Sequence, residues 1–162
     1  MVVSIETIES VLATIDDPEM PISIVDLGLV EQVTVTGDTA AIVILPTFVG
    51  CPALPMIEDE IREKVRELAG IEVVNVRFVH DPPWSVDRIT PAGREQLRGH
   101  GVTVPDRSVT PDETVALHAS AIPCPFCGAR ETRLDSPFGP TRCRTIWYCD
   151  ACRNAFEHMK KV

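Results

Sequence analysis

Two short cysteine pairs constrain this chain more than any other feature: Cys124-Pro125-Phe126-Cys127-Gly128 and Cys149-Asp150-Ala151-Cys152, with 21 residues between Cys127 and Cys149. In a C-x-x-C knuckle both thiolates face one point. Two such knuckles make a tetrahedron that suits Zn2+ at a closed structural site. Four cysteines leave no coordination position for a substrate, so this metal holds a fold together. A module of about 40 residues has a small core and needs such a staple. Between the knuckles, Thr132, Leu134, Thr145, Ile146 and Trp147 suit short strands. Residues 121–162 therefore predict a zinc ribbon on Cys124, Cys127, Cys149 and Cys152, with iron as the alternative occupant. Cys143 is left over. It reads as a small, half-buried strand residue, or alternatively as an extra ligand or redox thiol beside Arg142 and Arg144.

The preceding segment has mixed periodicity. Ser4 is a helix N-cap before Ile5, Ile8, Val11, Leu12 and Ile15, which recur on one helical face. Pro18 and Pro21 end that helix. Residues 30–36 alternate as a half-buried strand, Gly37-Asp38 turns, and residues 39–45 return as a nearly continuous apolar strand. Leu54, Ile57, Ile61, Val65 and Leu68 mark an amphipathic helix stopped by Gly70. Residues 71–79 form a third strand, parallel to the second because a helix joins them. Thr90-Pro91 opens a last short helix through Leu97. The predicted class is α+β: a two-layer α-β-β-α-β-α domain over 1–101 with a small mixed three-stranded sheet, a linker over 102–120, and the ribbon over 121–162.

Charge narrows the function. The net charge is −9. Residues 1–117 carry 8 Lys and Arg against 20 Asp and Glu, whereas residues 118–162 carry 7 against 4. Phosphate backbones need a basic face, so nucleic acid is not the expected partner. No apolar run approaches the roughly 18 residues of a membrane span. The start Met1-Val2-Val3-Ser4-Ile5-Glu6 has no signal-like character, and paired C-x-x-C motifs suit a reducing compartment. The expectation is a cytoplasmic protein.

The sixth cysteine is where chemistry is expected. Cys51, in Thr47-Phe48-Val49-Gly50-Cys51-Pro52, lies at a strand-to-helix turn. Backbone N–H groups and the helix dipole at such a position favour thiolate, which is both a nucleophile and a soft metal ligand. Redox and oxygenase machinery is otherwise missing. No His follows a Glu by three residues, as a di-iron helical bundle requires. No G-x-G-x-x-G nucleotide loop and no ferredoxin C-x4-C-x2-C run is present. The chain is not expected to be an enzyme.

Three stretches resemble the SufT-like family of small iron–sulfur assembly factors: Asp17-Pro18-Glu19-x-Pro21-x-Ser23-Ile24-Val25-Asp26-Leu27-Gly28-Leu29-Val30, Thr47-x-x-x-Cys51-Pro52, and Asp81-Pro82-Pro83-Trp84. With the ribbon motif Phe138-Gly139-x-Thr141-x-Cys143, the cysteine pair Cys149-x-x-Cys152 and Phe156, the whole chain resembles the PaaD family of phenylacetyl-CoA epoxidase systems. Arg144 stands where that family's pattern suggests Lys, which keeps the charge. The resemblance implies an accessory, maturation role in aerobic phenylacetate breakdown. The partners would be a di-iron oxygenase and an iron–sulfur reductase.

On that basis Cys51 is expected to bind iron or an iron–sulfur cluster transiently and pass it to a client. Asp17, Glu19 and Asp26 would supply hard oxygen ligands or take thiol protons. One cysteine cannot hold a cluster, so a homodimer or the client would complete the ligand shell. Competing readings are a docking module that moves no metal, and a cysteine-nucleophile enzyme with His80 as base. The bland alternatives are a small buried residue for Cys51, turn or cap acids for Asp17, Glu19 and Asp26, and a core anchor for Trp84.

Overall fold

A computed structural model of the chain describes residues 3–106 and 121–161. It parts into two compact units, Met1–Gly93 and Arg94–Val162.

In the first unit, α1 (Ile5–Leu12) starts at Ser4, whose Oγ accepts the Thr7 N–H at 3.2 Å. It ends three residues before Ile15, the predicted limit. Ile15 instead enters a tight reversal, in which Ile24 N–H donates to the Ile15 carbonyl at 2.8 Å and Asp16 bridges to Ser23. The strands β1 (Val30–Thr36), β2 (Thr39–Ile44) and β3 (Val73–Phe78) form a sheet in the order β1-β2-β3. β1 and β2 are antiparallel, β2 and β3 parallel, and α2 (Leu54–Arg66) forms the crossover.

One sheet face is apolar because side chains alternate along each strand. Val33, Ala40, Ile42, Ile44 and Val74 are buried there, while Gln32, Thr34, Thr36 and Asn75 are exposed. Both helices pack on the sheet, α1 against β1 and α2 against β3. Their apolar stripes, Ile8 and Leu12 on α1 and Ile57, Ile61 and Val65 on α2, complete the core. This is the predicted α+β architecture.

In the second unit, β4 (Val102–Thr103), β5 (Thr132–Ser136), β6 (Arg144–Cys149) and β7 (Ala155–Met159) form a sheet in the order β4-β7-β6-β5. Two strands here were not anticipated. Residues 102 and 103, expected to open a linker, run parallel beside β7. Arg94 also donates to the Pro105 carbonyl at 2.8 Å. The division between units thus falls inside α3 (Pro91–Gly99) rather than after residue 101. A two-residue strand has no period to detect, which is why composition alone suggested a linker. The remainder of that expected linker, 107–120, lies outside the described residues.

Candidate metal centre and the Cys51 turn

The ribbon cysteines converge. The sulfurs of Cys124, Cys127, Cys149 and Cys152 all lie within 4.8 Å of one another. The Cys124–Cys152 and Cys127–Cys149 sulfur pairs are both 3.7 Å apart. A disulfide would bring them to about 2.05 Å. A tetrahedron with Zn–S bonds of about 2.3 Å instead demands sulfurs about 3.8 Å apart, which matches.

The two knuckles are built alike. Gly128 N–H donates to the Cys124 carbonyl and Arg153 N–H to the Cys149 carbonyl, at 2.9 and 2.8 Å. The residue after each second cysteine has positive φ, +75° at Gly128 and +61° at Arg153. That left-handed residue turns the backbone around the metal point, and glycine adopts it without strain. The buried Cys124, Trp147, Cys149 and Phe156 make a small core behind the sulfurs.

Without a metal, the thiols of Cys152 and Cys127 are shifted in opposite directions. The Asn154 side chain donates to the Cys152 sulfur and brings that thiol down to about 6. At Cys127 the Ala129 backbone N–H favours the thiolate, yet desolvation and the three neighbouring sulfurs outweigh it and push the thiol up to about 12. Like charges at this spacing cannot all form unaided, whereas a divalent cation replaces the protons. The residues fit a tetrahedral Zn2+, and these four cysteines would hold it as a structural ion. Among the described residues no second group of three or more metal ligands forms.

Cys143 is not part of this cluster. It is buried, its Sγ lies 3.0 Å from Thr141 Oγ1, and its carbonyl accepts the Lys160 N–H.

In the first unit, Cys51 sits two residues before Ala53, the N-cap of α2. Its carbonyl accepts the Leu54 N–H at 3.4 Å. Gly50, at φ +79°, turns the chain into this position. No side chain caps α2, and no acidic residue stands in its first turn, so that helix end is electropositive. Cys51 is 9% exposed, between Val49 at 75% and an exposed Pro52.

The acidic candidates are engaged in local structure. Asp17 Oδ1 accepts the Glu19 N–H at 2.8 Å, which shapes the turn between the two prolines. Asp26 Oδ1 accepts the Thr90 hydroxyl, and its Oδ2 accepts the Ser23 hydroxyl at 3.1 Å. Thr90 Oγ1 in turn caps α3 by accepting the Gly93 N–H at 3.0 Å. Asp26 therefore ties the 23–30 segment to the start of α3.

Sequence reasoning missed the clamp around that segment. Trp84 Nε1 donates to the Leu27 carbonyl at 3.0 Å, and Thr90 N–H to the Asp26 carbonyl at 3.0 Å. Arg88 donates to the Gly28 and Val30 carbonyls at 2.8 and 3.2 Å and pairs with Glu31 at 2.8 Å. Gly28 is required here, at φ +73°, because a Cβ would lie 2.6 Å from Arg88. Trp84 is the core anchor that its bland reading anticipated, 3% exposed. Nothing in the order of residues pairs 26–30 with 84–90; only the fold does.

The comparisons with known proteins agree with this geometry. A family model described as "Iron-sulfur cluster assembly protein" matches residues 5–78, and one described as "PaaD zinc beta ribbon domain" matches residues 108–160. A protein of Escherichia coli (strain K12), provisionally named as the D component of a 1,2-phenylacetyl-CoA epoxidase, is 37% identical over 98% of this chain and 93% of its own length. The Fe-S protein maturation auxiliary factor YitW of Bacillus subtilis (strain 168) is 35% identical over 52% of this chain and 84% of its own. Among solved structures, a domain of unknown function DUF59 from Bacillus anthracis superposes with a TM-score of 0.55 at 29% identity, covering 57% of this chain and 89% of its own. No helix among the described residues is long and apolar enough to cross a membrane. An iron–sulfur assembly domain joined to a four-cysteine ribbon, matched nearly end to end, places the chain in the PaaD family, a branch of the iron–sulfur protein maturation factors.

Proposed function

We propose that this chain is an accessory maturation factor of a phenylacetyl-CoA epoxidase system, acting in the cytoplasm. Its role is to assist insertion of iron or an iron–sulfur cluster into the oxygenase or the iron–sulfur reductase component. The observation that carries this reading is the position of Cys51: a lone thiol at the uncapped, acid-free N-terminus of α2, in a chain similar throughout to an epoxidase D component. The iron or cluster is cargo. Transfer is a ligand exchange in which the bond from iron to Cys51 sulfur breaks as a client ligand bonds, a thiolate in the iron–sulfur reductase or a carboxylate or imidazole in the di-iron oxygenase. A proton displaced from the client ligand, or one from water, returns to Cys51, and no electron changes hands. Because Cys51 lies in no three-ligand group among the described residues, and one cysteine cannot hold a cluster, further cargo ligands come from the client or a second copy. Asp17, Glu19 and Asp26 supply hard oxygen ligands to the cargo or take thiol protons. The ribbon holds structural zinc and takes no part in the exchange.

The test is Cys51→Ser, made in cells that assemble the epoxidase. Iron in the purified oxygenase and reductase is expected to fall severalfold, while the variant itself keeps about one zinc per chain. Fully metallated components would end the transfer reading.

A second reading, a docking protein that moves no metal, is favoured by the low exposure of Cys51. It requires Cys51→Ser to be silent and changes at a binding surface to be damaging.

A further inference from the structure

The ribbon motif Phe138-Gly139-Pro140-Thr141-Arg142-Cys143-Arg144 is not accounted for by metal binding. Most of its residues build the β5–β6 loop itself. Gly139 N–H donates to the Arg144 carbonyl at 3.0 Å, and a Cβ on Gly139 would press on the Arg144 backbone at the same distance. Thr141 Oγ1 accepts from Arg144 Nε at 2.8 Å and touches Cys143. Arg144 is buried and pairs with Glu157 at 2.6 Å. Ser136 Oγ accepts the Phe138 N–H and donates to the Phe138 carbonyl.

Phe138 is the exception. Its backbone N–H and carbonyl are both held by Ser136 Oγ, yet the residue is 76% exposed. Lys160 Nζ stands 5.5 Å from the ring centroid. Exposed Arg142 follows in the same loop. Arg133 and Arg144 have acidic partners, whereas Arg142 and Lys160 belong to none of the ion pairs among the described residues. A fixed loop that displays an aromatic ring beside one cation, with a second, exposed cation four residues on, is built like an interface anchor, since ordering it on binding costs little entropy.

We propose that this loop is a docking finger. Phe138 fills an apolar pocket on a partner protein, and Arg142 and Lys160 meet carboxylates at the pocket rim. The cations select an acidic protein surface. Phosphate polymers fit less well, because the whole chain carries −9 and the loop offers a single ring for stacking. The inference rests on the maturation reading for the partner's identity as an epoxidase component; the surface itself stands on the loop geometry.

The experiment measures binding of the full-length, zinc-loaded chain to the purified oxygenase and reductase components. Phe138→Ala is expected to weaken binding at least about tenfold, and Phe138→Trp to stay within about threefold of wild type. Arg142→Glu is expected to weaken binding severalfold in low salt, whereas Arg66→Glu in α2 changes little. Zinc content in every variant reports an intact ribbon. Unchanged binding by Phe138→Ala overturns the proposal, and so does a wild type that binds neither component. Binding to a single-stranded DNA oligonucleotide that Phe138→Ala abolishes also overturns it, in favour of a nucleic-acid surface. Cys51→Ser separates the two ideas. If that variant supports full metal insertion while Phe138→Ala loses binding, the docking finger stands and the transfer reading falls. If Phe138→Ala binds normally while Cys51→Ser blocks insertion, the reverse holds.

Discussion

The two units solve the same problem by different means. The Met1–Gly93 unit closes over aliphatic side chains, with Ile8, Leu12, Ile15, Ile24, Leu27, Ile42, Ile44, Leu45 and Ile61 fully buried. The ribbon has only a few buried side chains behind its sulfurs, among them Trp147 and Phe156. Burial of apolar area supports the first unit, while in the second the metal must supply what a small core cannot. The contrast extends to cysteine use. Four thiols of the ribbon converge on one point, whereas the single cysteine of the first unit, Cys51, stands just before α2.

Metal removal should separate the units most sharply. Excess chelator is expected to unfold the ribbon, because structural zinc supplies on the order of 10 kcal/mol to such modules. Each unit has its own tryptophan, Trp84 in the first and Trp147 in the second. In single Trp→Phe variants, fluorescence should report loss of the Trp147 environment while Trp84 and the helical circular dichroism stay native. Loss of both signals at one chelator concentration would break the comparison.

Gly28→Ala tests it from the other side. The added Cβ meets the Arg88 carbonyl at 2.6 Å, in a left-handed backbone conformation. Expected destabilisation is about 3 kcal/mol or more in the first unit. Zinc content and the Trp147 signal should not change.

The smallest effect is a pH dependence confined to the ribbon unit. His158 lies edge-on to Trp147, with centroids 6.3 Å apart, and its Nδ1 is 2.8 Å from Thr103 Oγ1. Burial lowers its pKa from 6.5 to about 4. A folded-state value below the unfolded one means that neutral imidazole supports the fold. Its contribution is complete above pH 6.5 and is lost as pH falls toward 4. At one pH unit below 6.5 the loss is about 1 kcal/mol. Denaturant titrations with saturating zinc, in wild type and His158→Gln at two pH values, should show that difference only in the wild type. Parallel losses in both proteins would place the pH sensitivity elsewhere.

Much of the fold was legible because its signals are local. The N-cap at Ser4, the alternation through Val33 and Val35, the α2 stripe at Ile57, Ile61 and Val65, and the C-x-x-C spacings each follow from contacts within a few residues. The mixed sheet followed from connection rules: a tight turn makes an antiparallel pair, and a helical crossover makes a parallel one. β4 and β7 were not read as strands, since β4 is two residues long and exists only through its pairing with β7. The candidate site was read unevenly for the same reason. The cysteines announced themselves by spacing, whereas the partners of Asp26, Ser23 nearby and Thr90 some sixty residues away, carry no shared pattern.

What the amino-acid order determined alone is the helices and three strands of the first unit, the presence of a cysteine-held ribbon after an aliphatic domain, and the four thiols that meet. Periodicity and short spacings encode these, and they act over one or two turns of chain. What only the tertiary structure decided is how the 84–90 segment clamps 26–30, how deeply Cys51 is covered, and that Phe138 is pinned but bare. Those depend on which distant backbone carbonyls and side chains come within hydrogen-bond reach, and that is settled only when the whole core packs.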